Sequence, residues 1–234
     1  MIQNLRDLGG IRTASGETIK RGCFIRSANL SQAEEQDLEG ISEVIDLRTQ
    51  RERREIPDRL FGRNGLSIPI FDEVKTGISH ERETERKGPP DMGVLYLWMV
   101  KNHQDSFTKV LTAIMRHDFS SGAVLWHCTE GKDRCGLTTA LLLELLGVDR
   151  KTIMEDYLKT NEVNIPKAEK LREKLREEHG DEVAESVYRA FIADRAYLEG
   201  AWGVIDADPQ FFERFGFSED ELARFRETVL ERRD

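Results

Sequence analysis

The stretch Ala123-Val124-Leu125-Trp126-His127-Cys128-Thr129-Glu130-Gly131-Lys132-Asp133-Arg134-Cys135-Gly136 decides how the rest of the chain is read. Residues 123–126 are apolar without alternation and follow Ser-Ser-Gly, which marks a strand buried on both faces. Residues 137–146 are strongly helical, and Gly147 supplies the stop. Between them lies a polar loop: a cysteine, five residues, then an arginine. A loop joining strand to helix can wrap with its backbone N–H groups inward, as a nest for an oxyanion. The helix behind it, expected to start near Gly136, adds its positive end. Arg134 offers a planar, two-pronged donor for phosphate. Gly131 permits backbone geometry that a side chain would hinder. Thr129, Glu130, Gly131, Lys132, Asp133 and Arg134 are therefore the expected phosphate-binding residues.

The same field acts on Cys128. Inward N–H groups, the helix end and nearby cations favour thiolate, lowering such a pKa from about 8.5 into the range of roughly 3.5–7.5. A thiolate beneath a bound phosphate is placed for in-line attack on phosphorus. The product is a phosphocysteine, which water then hydrolyses. The plainer alternative, a structural cysteine at a strand end, leaves the polar loop without a reason.

Working outward, short strands are expected at 11–13, 18–20 and 23–26, the first two as a hairpin. Ser31 with Glu34 forms a capping-box pattern, so a helix is expected from there to Gly40. Residues 43–47 read as a buried strand. Residues 66–70 read as a strand that Pro69 confines to an edge or an end. The run 48–55, RTQRERRE, mixes charges densely and reads as a solvated helix face. Residues 73–91 are polar and end in Gly88-Pro89-Pro90, as a loop or lid would. Residues 92–115 predict one long helix or two short ones. Helices are then expected at 149–161, 165–178, 181–195, 196–206 and 218–231. The fold class is α/β: a central, mostly parallel sheet of four to five strands flanked by helices, with a helical portion at 149–234. One domain over 1–234 accounts for the length.

The charge sum of 35 basic and 44 acidic residues is −9, which argues against a nucleic-acid coat. The apolar stretches are too short to span a bilayer. The opening MIQNLRDLGG shows no secretory signal, so a cytoplasmic location is expected. Cys23, Cys128 and Cys135 do not make a disulfide framework. His80, His103, His117 and His179 have no ligand spacing, so no metal and no cofactor is expected. Trp98, Trp126 and Trp202 read as core, and Asp208-Pro209 as a helix break.

The segment His127-Cys128-Thr129-Glu130-Gly131-Lys132-Asp133-Arg134-Cys135-Gly136 closely resembles the signature loop of the cysteine-based protein tyrosine phosphatase superfamily. Its Gly-Lys-Asp-Arg form resembles a bacterial branch related to a secreted mycobacterial enzyme, some members of which act on phosphoinositides. Asn4-Leu5-Arg6-Asp7-Leu8-Gly9-Gly10 looks like that branch's opening motif. Phe24-Ile25-Arg26-Ser27-Ala28-Asn29-Leu30-Ser31, Ile45-Asp46-Leu47-Arg48-Thr49 and Asp156-Tyr157-Leu158-Lys159-Thr160-Asn161 match further motifs, and Tyr197-Leu198-Glu199 is a weaker match. The resemblance implies a cysteine-phosphatase fold with Cys128 as nucleophile. It implies a phosphorylated protein or phosphoinositide as substrate. A protein-tyrosine phosphatase with dual-specificity or phosphoinositide activity is the implied enzyme.

A leaving alcohol or phenol needs a proton donor. Asp133 lies in the loop. Asp46 ends a strand that would open on the same sheet edge. Asp72 follows the 66–70 strand, and there is no Trp-Pro-Asp motif. The resemblance favours Asp46 and Asp133. Arg48 is expected to support phosphate or the loop. Lys132 is expected either to read extra negative charge, as in phosphoinositide phosphatases, or to pair with a carboxylate such as Asp46. His127 is expected to tune Cys128 by hydrogen bonding. The helix at 156–161 reads as support behind the loop, with Asn161 able to face it.

Cys135 departs from the family pattern, where threonine or serine usually stabilises the departing thiolate. A thiol is a weaker donor, so slower phosphoenzyme hydrolysis is expected. Oxidation could also close a 128–135 disulfide. Two other functions compete: a rhodanese-like sulfurtransferase and a non-catalytic phosphate-binding module.

Overall fold

The computed structural model describes residues 2–71 and 91–232. Asp72 and residues 73–90 of the expected lid lie outside the described residues. The strands are β1 (Arg6–Asp7), β2 (Thr18–Ile19), β3 (Phe24–Ser27), β4 (Ile41–Asp46), β5 (Asn64–Ser67), β6 (Ala123–His127) and β7 (Leu230–Glu231). Five of them form the central sheet in the order β1-β3-β6-β4-β5. All neighbours in it are parallel except β1, which runs antiparallel to β3.

The middle position falls to β6 because it is the most apolar strand. Every one of its residues is buried, and each large apolar side chain so placed contributes roughly 1.5–3 kcal/mol. Val124 and Trp126 enter the larger hydrophobic cluster, and Ala123 and Leu125 enter a second one. Parallel register sets Ser27 of β3 and Asp46 of β4 on either side of His127. Three strand ends thus meet at one sheet edge, where ligands bind in open α/β sheets, and the cysteine loop leaves from the middle one.

The helices are α1 (Gln50–Glu55), α2 (Met92–Asn102), α3 (Gln104–Arg116), α4 (Asp133–Leu145), α5 (Arg150–Lys159), α6 (Asn161–His179), α7 (Asp181–Phe191), α8 (Arg195–Asp206) and α9 (Glu219–Val229). The larger cluster draws on α2, α3, α4, α5, α8 and α9. The second is closed by Ile2, Leu30, Ala33 and Leu38 instead, with no α-helical side chain among its described members. No described helix is long and apolar enough to cross a membrane.

Five elements differ from the sequence expectation. The helix at 31–40 is a single 3-10 turn, Glu35–Leu38, capped reciprocally by Glu34 and Asp37. The Ser31 hydroxyl is turned instead to Asn29 Oδ1 at 2.6 Å. The strand at 66–70 is displaced to β5, which stops at Ser67, before Pro69 would break the ladder. The 11–13 strand is reduced to one bridge, Arg12 to Thr18. The other edge of β2 pairs with β7, the last residues of the expected 218–231 helix. Finally, α4 begins at Asp133, not near Gly136, so Asp133, Arg134 and Cys135 form its first turn.

Candidate active site

The loop from Cys128 to Arg134 is held from outside by its carbonyl oxygens. The Asn29 backbone N–H and side-chain amide each donate to Thr129 O at 3.1 Å. The Asn4 amide donates to Glu130 O at 3.2 Å and Gly131 O at 2.9 Å. Arg26 donates to Gly131 O at 2.8 Å. Carbonyls drawn outward leave the N–H groups for the inner face, which is the geometry of an anion nest. No side chain caps the start of α4, so its positive end adds to the same face. Gly131 has φ +67, and a Cβ there would lie 2.5 Å from Ser27 O. Only glycine fits. Arg26 is fully buried, and its guanidinium is anchored by Asp156 at 2.9 Å, which also accepts from Arg6 at 2.8 Å. Asp156 thus supports the loop from behind, as expected of its helix. Asn161 does not face the loop: it exchanges hydrogen bonds of 2.8 and 2.7 Å with the Ala193 backbone.

Cys128 is buried beneath this nest. Burial alone would raise its thiol; the Cys135 thiol, the Arg134 charge and the Cys135 backbone N–H together bring it down to about 6. Cys135 is shifted the opposite way, well above its ordinary value, by burial and by its bond to Cys128. The Cys135 Sγ itself lies 3.7 Å from Ser27 O and 3.9 Å from Trp126 O. Cys23, Cys128 and Cys135 are all free thiols.

Arg134 carries a partner that the sequence reading missed. Glu52 of α1 takes Nη1 and Nη2 at 2.7 Å each. The Thr129 hydroxyl donates to the same carboxylate. Burial would raise the Glu52 pKa, but the Arg134 hydrogen bonds and charge hold it at about 2. The other face of the guanidinium lies 4.8 Å over the Phe71 ring. Thr49 caps α1 by accepting from the Glu52 N–H, and the Glu52 carboxylate accepts in return from the Thr49 N–H. That box aims Glu52 inward while Glu55 stays exposed. The S/T-x-x-E pattern at 49–52 was the available signal.

Asp46 and Arg48 are paired with each other. Asp46 sits beside His127 on the predicted edge, but its carboxylate is taken by Arg48 through Nε at 3.0 Å, Nη2 at 2.8 Å and N–H at 2.9 Å. Arg48 is itself buried, and its remaining donors go to Asp58 at 2.6 Å and Ile56 O at 2.8 Å. These donors are consumed beneath the loop. Asp58, also missed, stands 3.1 Å from His127 Nε2 and accepts from Leu30 N–H at 2.8 Å. Burial would raise it, but His127 and Arg48 hold it at about 2. The other His127 ring nitrogen is 3.3 Å from Cys128 O, so His127 steadies the backbone at Cys128. Asp46, Asp58 and His127 place three ligand atoms within 4.8 Å of one another, but the Arg48 guanidinium already supplies the positive charge that the two carboxylates need.

Lys132 pairs with a carboxylate, but with Asp133 rather than Asp46. Its ammonium reaches neither Asp46 nor open solvent. It is buried, donates to Ala190 O and, at 3.2 Å, to Ile192 O, and pairs with Asp133 Oδ1 at 3.2 Å. A cation on the last carbonyls of α7 is a favourable C-terminal cap. Asp133 is a quarter exposed and is also held by the Tyr96 hydroxyl at 2.8 Å. Glu130 stands at the rim, 3.5 Å from Lys167.

The chain as a whole is similar to known proteins. The model of the tyrosine phosphatase family matches residues 1–231. A Cupriavidus necator protein named as a tyrosine-protein phosphatase is 29% identical over 214 residues, covering 88% of this chain and 77% of its own. The tyrosine-protein phosphatase of Nostoc commune is 30% identical over 144 residues, 59% of this chain and 48% of that protein. The triple specificity protein phosphatase PtpB of Mycobacterium tuberculosis is 27% identical over 194 residues, 68% of this chain and 67% of that protein.

Proposed function

Because this chain belongs to the tyrosine phosphatase family, we propose that it cleaves phosphomonoesters through a phosphocysteine on Cys128, within one domain spanning 1–234. The observation that carries the reading is a buried cysteine, its thiol lowered to about 6, beneath a loop whose Thr129, Glu130 and Gly131 carbonyls are drawn outward. The substrate phosphate takes the inward N–H groups and the helix end, and Arg134 supplies the fixed cation. Glu52, paired to both terminal nitrogens, orients that cation and leaves its Nε edge for phosphate. The Cys128 sulfur attacks phosphorus as the bond to the leaving oxygen breaks, and Asp133 gives that oxygen a proton. Asp133 then accepts a proton from water as water attacks the phosphocysteine. Inorganic phosphate leaves, and the Cys135 thiol donates to the returning thiolate. Asp46, Arg48, Asp58 and His127 act as support beneath the loop.

Phosphotyrosine protein is the substrate class this arrangement favours. A second phosphate needs a second free cation, and the Lys132 ammonium is committed to α7 carbonyls. Phosphate release from p-nitrophenyl phosphate, phosphotyrosine and phosphoserine peptides and a phosphoinositide panel tests this ranking. Phosphotyrosine peptide is expected first. Thiosulfate turnover without phosphate release would instead mark a sulfurtransferase, and binding without turnover a phosphate-binding module.

The two cysteines make a pH prediction. Activity toward free enzyme and substrate is retained above about pH 6 and lost as the pH falls through it, because the nucleophile is protonated there. Cys135→Ala removes the donor, so the Cys128 titration moves back toward the ordinary thiol range, by about one pH unit for one hydrogen bond. Cys135→Ser keeps the low value and hydrolyses the phosphoenzyme faster. Iodoacetamide alkylation rates against pH measure the first effect. An unmoved midpoint in Cys135→Ala would remove Cys135 from the mechanism.

A further inference from the structure

Tyr96 of α2 is fully buried, yet its hydroxyl ends at the active-site loop. It lies 2.8 Å from Asp133 Oδ1 and 2.8 Å from the Tyr157 hydroxyl of α5. Burial, then the Asp133 charge, raise both phenols well above the ordinary tyrosine value, so both stay protonated. A phenol has one proton to give, and an ionised carboxylate only accepts. The order is therefore set: Tyr157 donates to Tyr96, and Tyr96 donates to Asp133. The Lys132 ammonium reaches the same Oδ1 at 3.2 Å. Two donors converge on one carboxylate oxygen. Among the described residues no hydrogen bond reaches the other, Oδ2, and the side chain is a quarter exposed.

From this convergence we infer that Tyr96 is a positioning residue that selects which oxygen of Asp133 carries the transferable proton. A proton on Oδ1 would face the Tyr96 hydroxyl proton and the Lys132 ammonium. It goes to Oδ2, the open oxygen. The carboxyl is thereby fixed in one orientation, with its acidic O–H outward. The inference deepens the reading of Asp133 as the proton donor and rests on it. It also gives α2 and α5, separated from the loop in sequence, a part in the proton transfer.

A series of aryl phosphates tests it. A p-nitrophenolate leaves readily without a proton, whereas phenol or tyrosine, with a pKa near ~10, needs one. The full chain should show rates that depend weakly on the leaving group. Asp133→Asn should lose about 100-fold or more on phenyl phosphate and far less on p-nitrophenyl phosphate. Tyr96→Phe should show the same selective pattern at roughly tenfold, the scale of one charge-assisted hydrogen bond. Added to Asp133→Asn, it should cost nothing further. Equal loss on both esters, or no loss on either, would overturn the role of Tyr96 and reduce it to packing. A weak leaving-group dependence kept by Asp133→Asn would instead overturn the proton-donor reading beneath it. Should Tyr96→Phe fail to fold, Tyr157→Phe serves. It removes the bond that commits the Tyr96 proton to Asp133, and its selective loss or lack of one decides the same question.

Discussion

Replacing Cys128 by serine will slow phosphate release by about four orders of magnitude or more, with the fold intact and phosphate binding retained. The reason is ionisation. Cys135 and Arg134 hold the thiol at about 6, so the proposed nucleophile is available as the anion near neutral pH. A serine hydroxyl in the same place stays neutral, because the same donors cannot bring an alcohol within reach of pH 7. The nest is made of backbone held by Asn4, Arg26 and Asn29, and none of those bonds involves the sulfur. Turnover of a phosphotyrosine peptide and its affinity by calorimetry separate the two effects. Residual turnover within tenfold of the native rate would mean that another group attacks phosphorus.

Arg134→Lys should be the second largest loss, about 10²–10³-fold in kcat/KM, although the charge is unchanged. Lysine offers a flexible point charge where the site is built for a planar fork. Glu52 grips both terminal nitrogens of that fork, and the Phe71 ring lies against its face. An ammonium satisfies neither. Glu52 then loses most of what holds it at about 2, so its carboxyl will titrate nearer the ordinary range. In the native chain, the stability Glu52 contributes is present above the ordinary carboxyl pKa, ~4.3 for glutamate. It is lost only as the pH falls toward about 2. In Arg134→Lys that contribution shrinks, so acid unfolding should begin at higher pH. Steady-state kinetics and an acid-unfolding curve check the two parts. A lysine variant within tenfold of native kcat/KM would show that charge alone suffices.

How legible each feature was depended on how local it is. The run of buried residues in β6, the polar loop and the apolar start of α4 are contiguous. Their reading needs only strand and helix periodicity and the steric demand at Gly131, and Cys128, Arg134 and Gly131 were found on that basis. Asp46 was placed correctly at the end of β4 beside His127. The direction of its carboxylate could not be read, because Arg48 and Asp58 decide it.

Glu52 and Glu55 sit one turn apart in the same charged run, and the capping pattern at 49–52 marks Glu52 without saying which cation it meets. The structure makes one the partner of Arg134 and leaves the other exposed. Lys132 was read either as a contact for extra negative charge, by resemblance, or as the partner of a carboxylate such as Asp46, and the structure pairs it with Asp133. Lys132 is buried because α7, some sixty residues along the chain, ends where its ammonium can cap it. The Tyr157–Tyr96–Asp133 chain joins three elements and has no signature in any of them.

The sequence by itself determined the βα unit, the polar Cys-to-Arg loop that joins its halves and the glycine within it, since adjacent residues and backbone sterics create them. Only the tertiary structure decided which carboxylates hold arginine, which cation is spent on a helix end and which aspartate stays open to the pocket. Those outcomes depend on long side chains from distant elements competing for a few buried charges, and burial makes each pairing exclusive.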